Sequence, residues 1–290
     1  MSDTASIAVI GGSGLYQMAG LTNTRSITVD TPFGRPSGEI VLGTLRGKQV
    51  AFLPRHGVGH VYTPSTVPYR ANIYALKQLG VRFIIAVNAC GSLREAYAPG
   101  HVVVPDQLYD NTRLDRGRSF FDTGLVGHVS VAEPFSPEMN AIVADAVESA
   151  GGTVHRGGTY VTIEGPRFST RAESLVYRRL GFDIIGMTTC PEAFLARESE
   201  IAYATMSHIT DYDVWHQSEA PVSVEMVIET FHHNLALARE AVGIAVELID
   251  ESADLPAHHV LDGSVMTDPR RIPRDVFDRL QPIIGRLYRA

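Results

Sequence analysis

Short apolar runs rich in β-branched residues recur along the chain, separated by stretches whose apolar positions repeat at helical spacing. The runs Ile7–Ile10, Ser26–Val29, Ile40–Leu45, Val50–Leu53, Phe83–Val87, Val102–Val104, Thr159–Ile163, Asp183–Ile185 and Ile201–Met206 predict strands. Pro64-Ser65 opens a predicted helix whose apolar positions Val67, Ala71, Tyr74 and Leu79 run up to Gly80. Ser136 reads as the cap of a second helix, with Pro137 first and Met139, Ile142, Val143, Ala146 and Val147 as one apolar stripe. A third passes through Ala172, Leu175, Val176 and Leu180 to stop at Gly181, and Ser223 opens a long one ending near Asp250. Strands interleaved with helices predict an α/β fold: a single domain over residues 1–250, with a central mixed β-sheet, largely buried and flanked by helices. Residues 251–290 carry Pro256, Pro269, Pro273 and Pro282 among charges and read as a C-terminal extension. It is expected to fold on the domain or on a neighbouring subunit.

Composition narrows the class. Of 290 residues, 44% are apolar and 20% charged, which fits a globular chain and excludes a disordered one. The formal net charge of −7 argues against nucleic acid or an anionic membrane as partner. It leaves open a small anion in a locally basic pocket. Cys90 and Cys190 are too few for a disulfide framework, so a reduced, cytoplasmic setting is expected. The first residues, MSDTASIAVIGGSG, lack a basic segment followed by an apolar one, and no apolar run approaches the roughly 18–20 residues of a membrane span.

Five segments at predicted strand ends could carry chemistry. Gly11-Gly12-Ser13-Gly14 follows the first strand and reads either as a tight turn or as a cradle of N–H groups for an anion. A dinucleotide fingerprint would need glycine where Gln17 stands. Arg55-His56 is either a solvated turn or an oxyanion clamp, with Arg offering its planar fork. His56 and His60 have the spacing of a zinc helix, but Gly57 and Gly59 between them make that reading poor. Asn88-Ala89-Cys90-Gly91-Ser92 ends a central strand, where open α/β sheets place ligands. There Cys90 reads better as a packed thiol than as a nucleophile. Phe168, and Met187 beside Thr188, are core residues or two faces for a flat ring and a sugar. Asp211 and Asp213 are an exposed acidic turn or, being on one face of an extended segment, a carboxyl pair in which one member holds a raised pKa and suits acid catalysis.

Taken together, these segments resemble the trimeric purine nucleoside phosphorylase family, and more closely its methylthioadenosine phosphorylase branch. The resemblance runs from about Ile7 to Asp250 and rests on Asp30-Thr31-Pro32-Phe33-Gly34, Asn88–Ser92, Thr162–Ser169 and Thr210–Asp213 in the family's order. It implies phosphorolysis of the N-glycosidic bond of 5′-methylthioadenosine, giving adenine and 5-methylthioribose 1-phosphate. The neighbouring alternative is a 6-oxopurine (inosine or guanosine) phosphorylase. It implies no metal and no organic cofactor, inorganic phosphate being a co-substrate. By resemblance Ser13, Arg55, His56, Asn88, Ala89 and Thr188 hold phosphate, with Arg55 the pocket's one formally charged group. Phe168 and Met187 flank base and ribose, Asp211 is the catalytic acid at purine N7, and Asp213 meets the 6-amino edge. Ser169 and Val224 match positions associated with 6-aminopurine preference. His128 matches a residue reaching the 5′ end of the substrate in a neighbouring subunit, which implies a homotrimer or a dimer of trimers.

Overall fold

The computed structural model describes residues 3–12, 14–15, 18–216 and 223–288, the side chains at 226, 229 and 231–233 excepted. Eleven strands among them form one branched sheet: β1 (Ile7–Gly11), β2 (Thr22–Ile27), β3 (Ile40–Leu45), β4 (Lys48–Pro54), β5 (Phe83–Ser92), β6 (Val102–Val104), β7 (Gln107–Asn111), β8 (Val154–Arg156), β9 (Thr159–Ile163), β10 (Ile184–Gly186) and β11 (Ala202–Asp211). The helices are α1 (Tyr69–Gln78), α2 (Pro137–Ser149), α3 (Arg171–Arg179), α4 (Thr189–Glu198), α5 (Val224–Leu248) and α6 (Arg274–Ile284).

The sheet runs β2-β3-β4-β1-β5-β10-β9-β7, and β11 joins β5 to β6, which in turn carries β8. β5 is the branch point. Its first half pairs in parallel with β1, Phe83 to Gly91 pair in parallel with β11, and Gly91 and Ser92 pair antiparallel with β10. The apolar runs are continuous because both faces are covered. On β1, Ala8 and Ile10 face one core, which includes residues of α1, α4 and the C-terminal segment; Ile7 and Val9 face a second, against α2 and α5. The sheet is therefore a rigid floor from which strand ends project.

Several elements depart from the sequence reading, each for a local reason. α1 opens at Tyr69 rather than at Pro64, because Pro68 disfavours helical backbone at Val67. Its end is as expected, with Gly80 just beyond at φ +87°. β2 lies at Thr22–Ile27 instead of Ser26–Val29 and is a mostly exposed edge strand. β5 continues five residues past Val87 and β11 five past Met206, since each supplies the other's ladder bonds. β7, β8, α4 and α6 are additions to the expected elements.

α2 is capped as predicted, the Ser136 hydroxyl accepting the Met139 N–H at 3.4 Å. α3 forms where expected but for a different reason. A Thr170–Glu173 capping box anchors it, while the apolar positions Leu175, Val176 and Leu180 remain 41%, 48% and 62% exposed. The C-terminal segment packs on this chain's own core. Val276, Leu280, Ile283 and Ile284 of α6 are buried there, and the Tyr74 hydroxyl donates to Arg279 O at 2.6 Å. Among the described residues no helix is long and apolar enough to cross a membrane.

Candidate functional site

The parallel strands β4, β1, β5 and β11 end on one side of the sheet, and the end of β10 turns back toward the middle of β5. That geometry gathers Gly12, Arg55, Asn88, Thr188 and Asp211 around one cavity of about 360 Å³. A cavity at strand carboxyl ends is where α/β sheets place ligands.

One end of it is acidic. The pairing of β11 with β5 slips between Ile209 and Asp211, a bulge that redirects the strand's last residues. Asp213 follows in a turn at φ +52°, a left-handed conformation that aspartate tolerates better than most residues. The two carboxyls thus reach one cavity through a bulge and a turn, and strand alternation is not what brings them together. Asp211 accepts the Thr210 hydroxyl at Oδ2 and the Asp213 N–H at Oδ1, both at 2.7 Å. Gly91 makes room for this, since a Cβ there would lie 2.9 Å from Asp211 Oδ1. Burial raises the Asp211 pKa above its ordinary 3.8. Burial also pushes Asp213 up to about 6, the Asp211 charge adding to the effect while the Ser174 and Ser169 hydroxyls pull the other way. Asp213 Oδ2 nonetheless has no well-aligned hydrogen bond among the described residues, and neither do the buried hydroxyls of Ser169 and Ser174 that stand beside its carboxyl.

The other end is built for an anion, although its charge is arranged differently from expectation. Arg55 is 3% exposed and pairs with Glu192: Nε donates to Oε2 at 2.7 Å and Nη2 to Oε1 at 2.8 Å. Nη1 donates to Val87 O at 3.0 Å and Nη2 to Ile10 O at 3.5 Å. These contacts engage four of the five guanidinium hydrogens. The fork expected to clamp an oxyanion grips a carboxylate instead, and among the described residues one Nη1 hydrogen is left without an acceptor. Arg55 is consequently a balanced charge, because Glu192 is a second formally charged group beside it. Burial alone would lower the Arg55 pKa, but Glu192 outweighs it and holds the guanidinium above its usual value.

Neutral groups complete that end. His56 Nδ1 donates to Tyr62 O at 2.9 Å, which leaves Nε2 as an acceptor. Burial, aided by the Arg55 charge, lowers the His56 pKa to about 4, so the ring is neutral at pH 7. An oxyanion facing Nε2 must bring its own proton. Asn88 has both amide hydrogens directed to hydroxyls, Thr189 Oγ1 at 3.3 Å and Thr205 Oγ1 at 3.0 Å. Arg239 of α5 donates twice to Gly14 O, at 2.7 and 3.1 Å, tying Gly14 to that helix.

Residues 6–249 match the phosphorylase superfamily. The chain belongs to that family. It is 52% identical over 285 residues to S-methyl-5′-thioadenosine phosphorylase of Chloroflexus aurantiacus, covering 98% of this chain and 99% of that protein. The same-named protein of Geobacter sulfurreducens is 50% identical, with 96% and 98% covered. Among solved structures, a methylthioadenosine phosphorylase from an antarctic soil metagenomic library superposes with TM-score 0.93 at 49% identity, covering 97% and 99% of the two chains. Methylthioadenosine phosphorylase from Schistosoma mansoni in complex with adenine gives 0.82 at 37%, covering 91% and 99%.

Of the residues that the family resemblance pointed to, Arg55, His56, Asn88, Ala89, Phe168, Ser169, Met187, Thr188, Asp211 and Asp213 all line the cavity. Ser13 lies outside the described residues. Val224 is 56% exposed at the start of α5, and the wall is made one turn later by Val227 and Ile228. The helical spacing from Val224 was the available signal for that pair. His128 is exposed and away from the cavity of its own chain, its N–H bonded to Ser264 O at 2.9 Å. His60, stacked on His56 with ring centroids 4.2 Å apart, also lines the cavity. Cys90 does too, but it is 2% exposed and burial pushes its thiol up to about 12, so it is a poor nucleophile.

Proposed function

We propose that the chain cleaves the N-glycosidic bond of 5′-methylthioadenosine with inorganic phosphate, releasing adenine and 5-methylthioribose 1-phosphate. The observation that carries this reading is the buried carboxyl of Asp213, whose Oδ2 has no well-aligned donor among the described residues, beside the raised carboxyl of Asp211. A buried acceptor without a donor costs roughly 1–3 kcal/mol, which an incoming N–H would relieve. The 6-amino group of adenine supplies that N–H. A 6-oxo group would set lone pair against lone pair.

The chemistry follows from the two ends of the cavity. As C1′–N9 breaks, positive charge grows on the ribose and negative charge on the purine. Protonated Asp211, oriented by Thr210 and by the Asp213 N–H, gives its proton to N7 and neutralises the leaving base. A phosphate oxygen forms the new bond to C1′ while the phosphate charge offsets that of the sugar. Phosphate is held by the Gly12 turn, Arg55, His56, Ala89 and Thr188, so it is a co-substrate, and the scheme assigns no step to a metal or organic cofactor. Met187 and Phe168 flank ribose and base. Val227 and Ile228 offer an apolar wall to a 5′-methylthio group.

The relatives named methylthioadenosine phosphorylase support the same substrate. One Schistosoma mansoni structure is described as an adenosine/methylthioadenosine phosphorylase, which makes adenosine the natural comparison. Base release from methylthioadenosine, adenosine and inosine, measured side by side with phosphate, tests the reading. Methylthioadenosine is expected to turn over fastest, and faster turnover of inosine would refute it.

The proposal extends to assembly as a homotrimer, with His128 of one copy serving the cavity of the next. Exposed apolar groups support it: Val126 and Met266, 50% and 68% exposed, flank the bridge between Gly127 and Val265 beside His128, and Val176 and Leu180 stand open on α3. Light scattering should read three chains or a multiple, and a fully active monomer would contradict it. A cytoplasmic setting accompanies this reading, in keeping with two buried free cysteines.

A further inference from the structure

Glu192 takes no direct part in the scheme above, yet it is 1% exposed and locked to Arg55, the one cationic wall residue of the cavity among the described residues. We propose that Glu192, braced by Tyr203, is a positioning residue that aims the last free N–H of Arg55 at the bound phosphate. The proposal rests on the assignment of this end of the cavity to phosphate.

Geometry supports it at every donor. Glu192 Oε2 takes Arg55 Nε, and Oε1 takes both Arg55 Nη2 and the Tyr203 hydroxyl, the latter at 2.9 Å. Two parallel bonds to one carboxylate fix the plane of a guanidinium. The carbonyls of Val87 and Ile10, on β5 and β1, then hold its other edge. The plane cannot turn, so the remaining Nη1 hydrogen has one direction.

An unpaired arginine would offer phosphate a full fork and a full charge, but it would bind phosphate equally well before and during reaction. Tight ground-state binding of that kind does not raise turnover. A donor fixed in advance costs no reorganisation as charge develops on the sugar. Glu192 also lies on α4, whose first residues follow directly on Thr188. One carboxylate thereby ties two of the proposed phosphate contacts to a single helix.

Two substitutions test this against simple charge balance. In Glu192→Gln the amide NH₂ confronts an arginine donor and turns the guanidinium, and the phosphate KM is expected to rise about tenfold while the nucleoside KM stays within about twofold. If Glu192 only balanced charge, its removal would strengthen attraction for phosphate, and the KM would fall. An unchanged or lower phosphate KM therefore overturns the proposal.

Tyr203→Phe leaves the ion pair in place and removes only the brace, so it carries the test should Glu192→Gln fail to fold. It should raise the phosphate KM about two- to fivefold at unchanged melting temperature to within a few degrees. Equal changes in both KM values, or none, would overturn the proposal as well. Arg55→Ala separates this failure from failure of the phosphate assignment. If Arg55→Ala raises the phosphate KM and the other two variants do not, the assignment stands and the role of Glu192 falls.

Discussion

Asp211→Asn should lower kcat on methylthioadenosine by about 10²–10⁴, the usual contribution of a positioned general acid. Its phosphate KM should stay within about twofold, because Asp211 lies at the far end of the cavity from Arg55. The substitution is nearly isosteric: the amide oxygen still accepts the Asp213 N–H, and the amide NH₂ can donate to the Thr210 hydroxyl, which accepts as well as donates. What it removes is the proton. Burial raises the Asp211 pKa and so increases the fraction of acid available near neutrality, and asparagine has no counterpart to that. Single-turnover base release, which isolates the chemical step, is the measurement. Unchanged turnover would remove Asp211 from the role of acid.

Arg55→Ala should be damaging in two separable ways. It leaves Glu192 buried without its partner, and breaking a buried pair from one side typically costs about 3–5 kcal/mol. Thermal or denaturant unfolding should show that loss, and the phosphate KM should rise steeply in whatever fraction remains folded. A paired replacement distinguishes the effects. Arg55→Met with Glu192→Leu removes both charges at similar volume and should recover part of the lost stability, since apolar substitutes for buried ion pairs are often neutral or stabilising while the Tyr203 hydroxyl loses its acceptor. It should not recover phosphate affinity. A double variant with restored stability and near-normal phosphate KM would show that the pair is structural.

How much of this was legible in the sequence depends on what each element packs against. β1 and the start of β5 were plain, because strands buried on both faces must be apolar throughout. β7 was not, because Gln107–Asn111 is an edge strand, partly exposed, whose pairing is supplied by β9. α4 was hidden by Pro191 and by a non-helical Cys190 at its start, and α6 by Pro282 near its end. Apolar spacing located α3 correctly but did not show what its face meets, and Val176 and Leu180 stand exposed. Periodicity reports that a face is apolar and not what covers it.

The site shows the same division. Residues at strand ends were identifiable, and Asp211, Asp213, Met187 and Arg55 do converge. Glu192 was invisible because nothing in its neighbours signals a buried carboxylate, and only the fold brings it within 2.7 Å of an arginine 137 positions away. The electrostatic character of the phosphate end changed with it, from a single cation to a balanced pair.

The central claim is that phosphate itself attacks the sugar. The most direct test is the fate of the sugar when methylthioadenosine is incubated with and without phosphate, followed by phosphorus NMR alongside adenine release. One 5-methylthioribose 1-phosphate is expected for each adenine, and no adenine when phosphate is omitted. Adenine released at the same rate without phosphate, with free methylthioribose as the product, would contradict it.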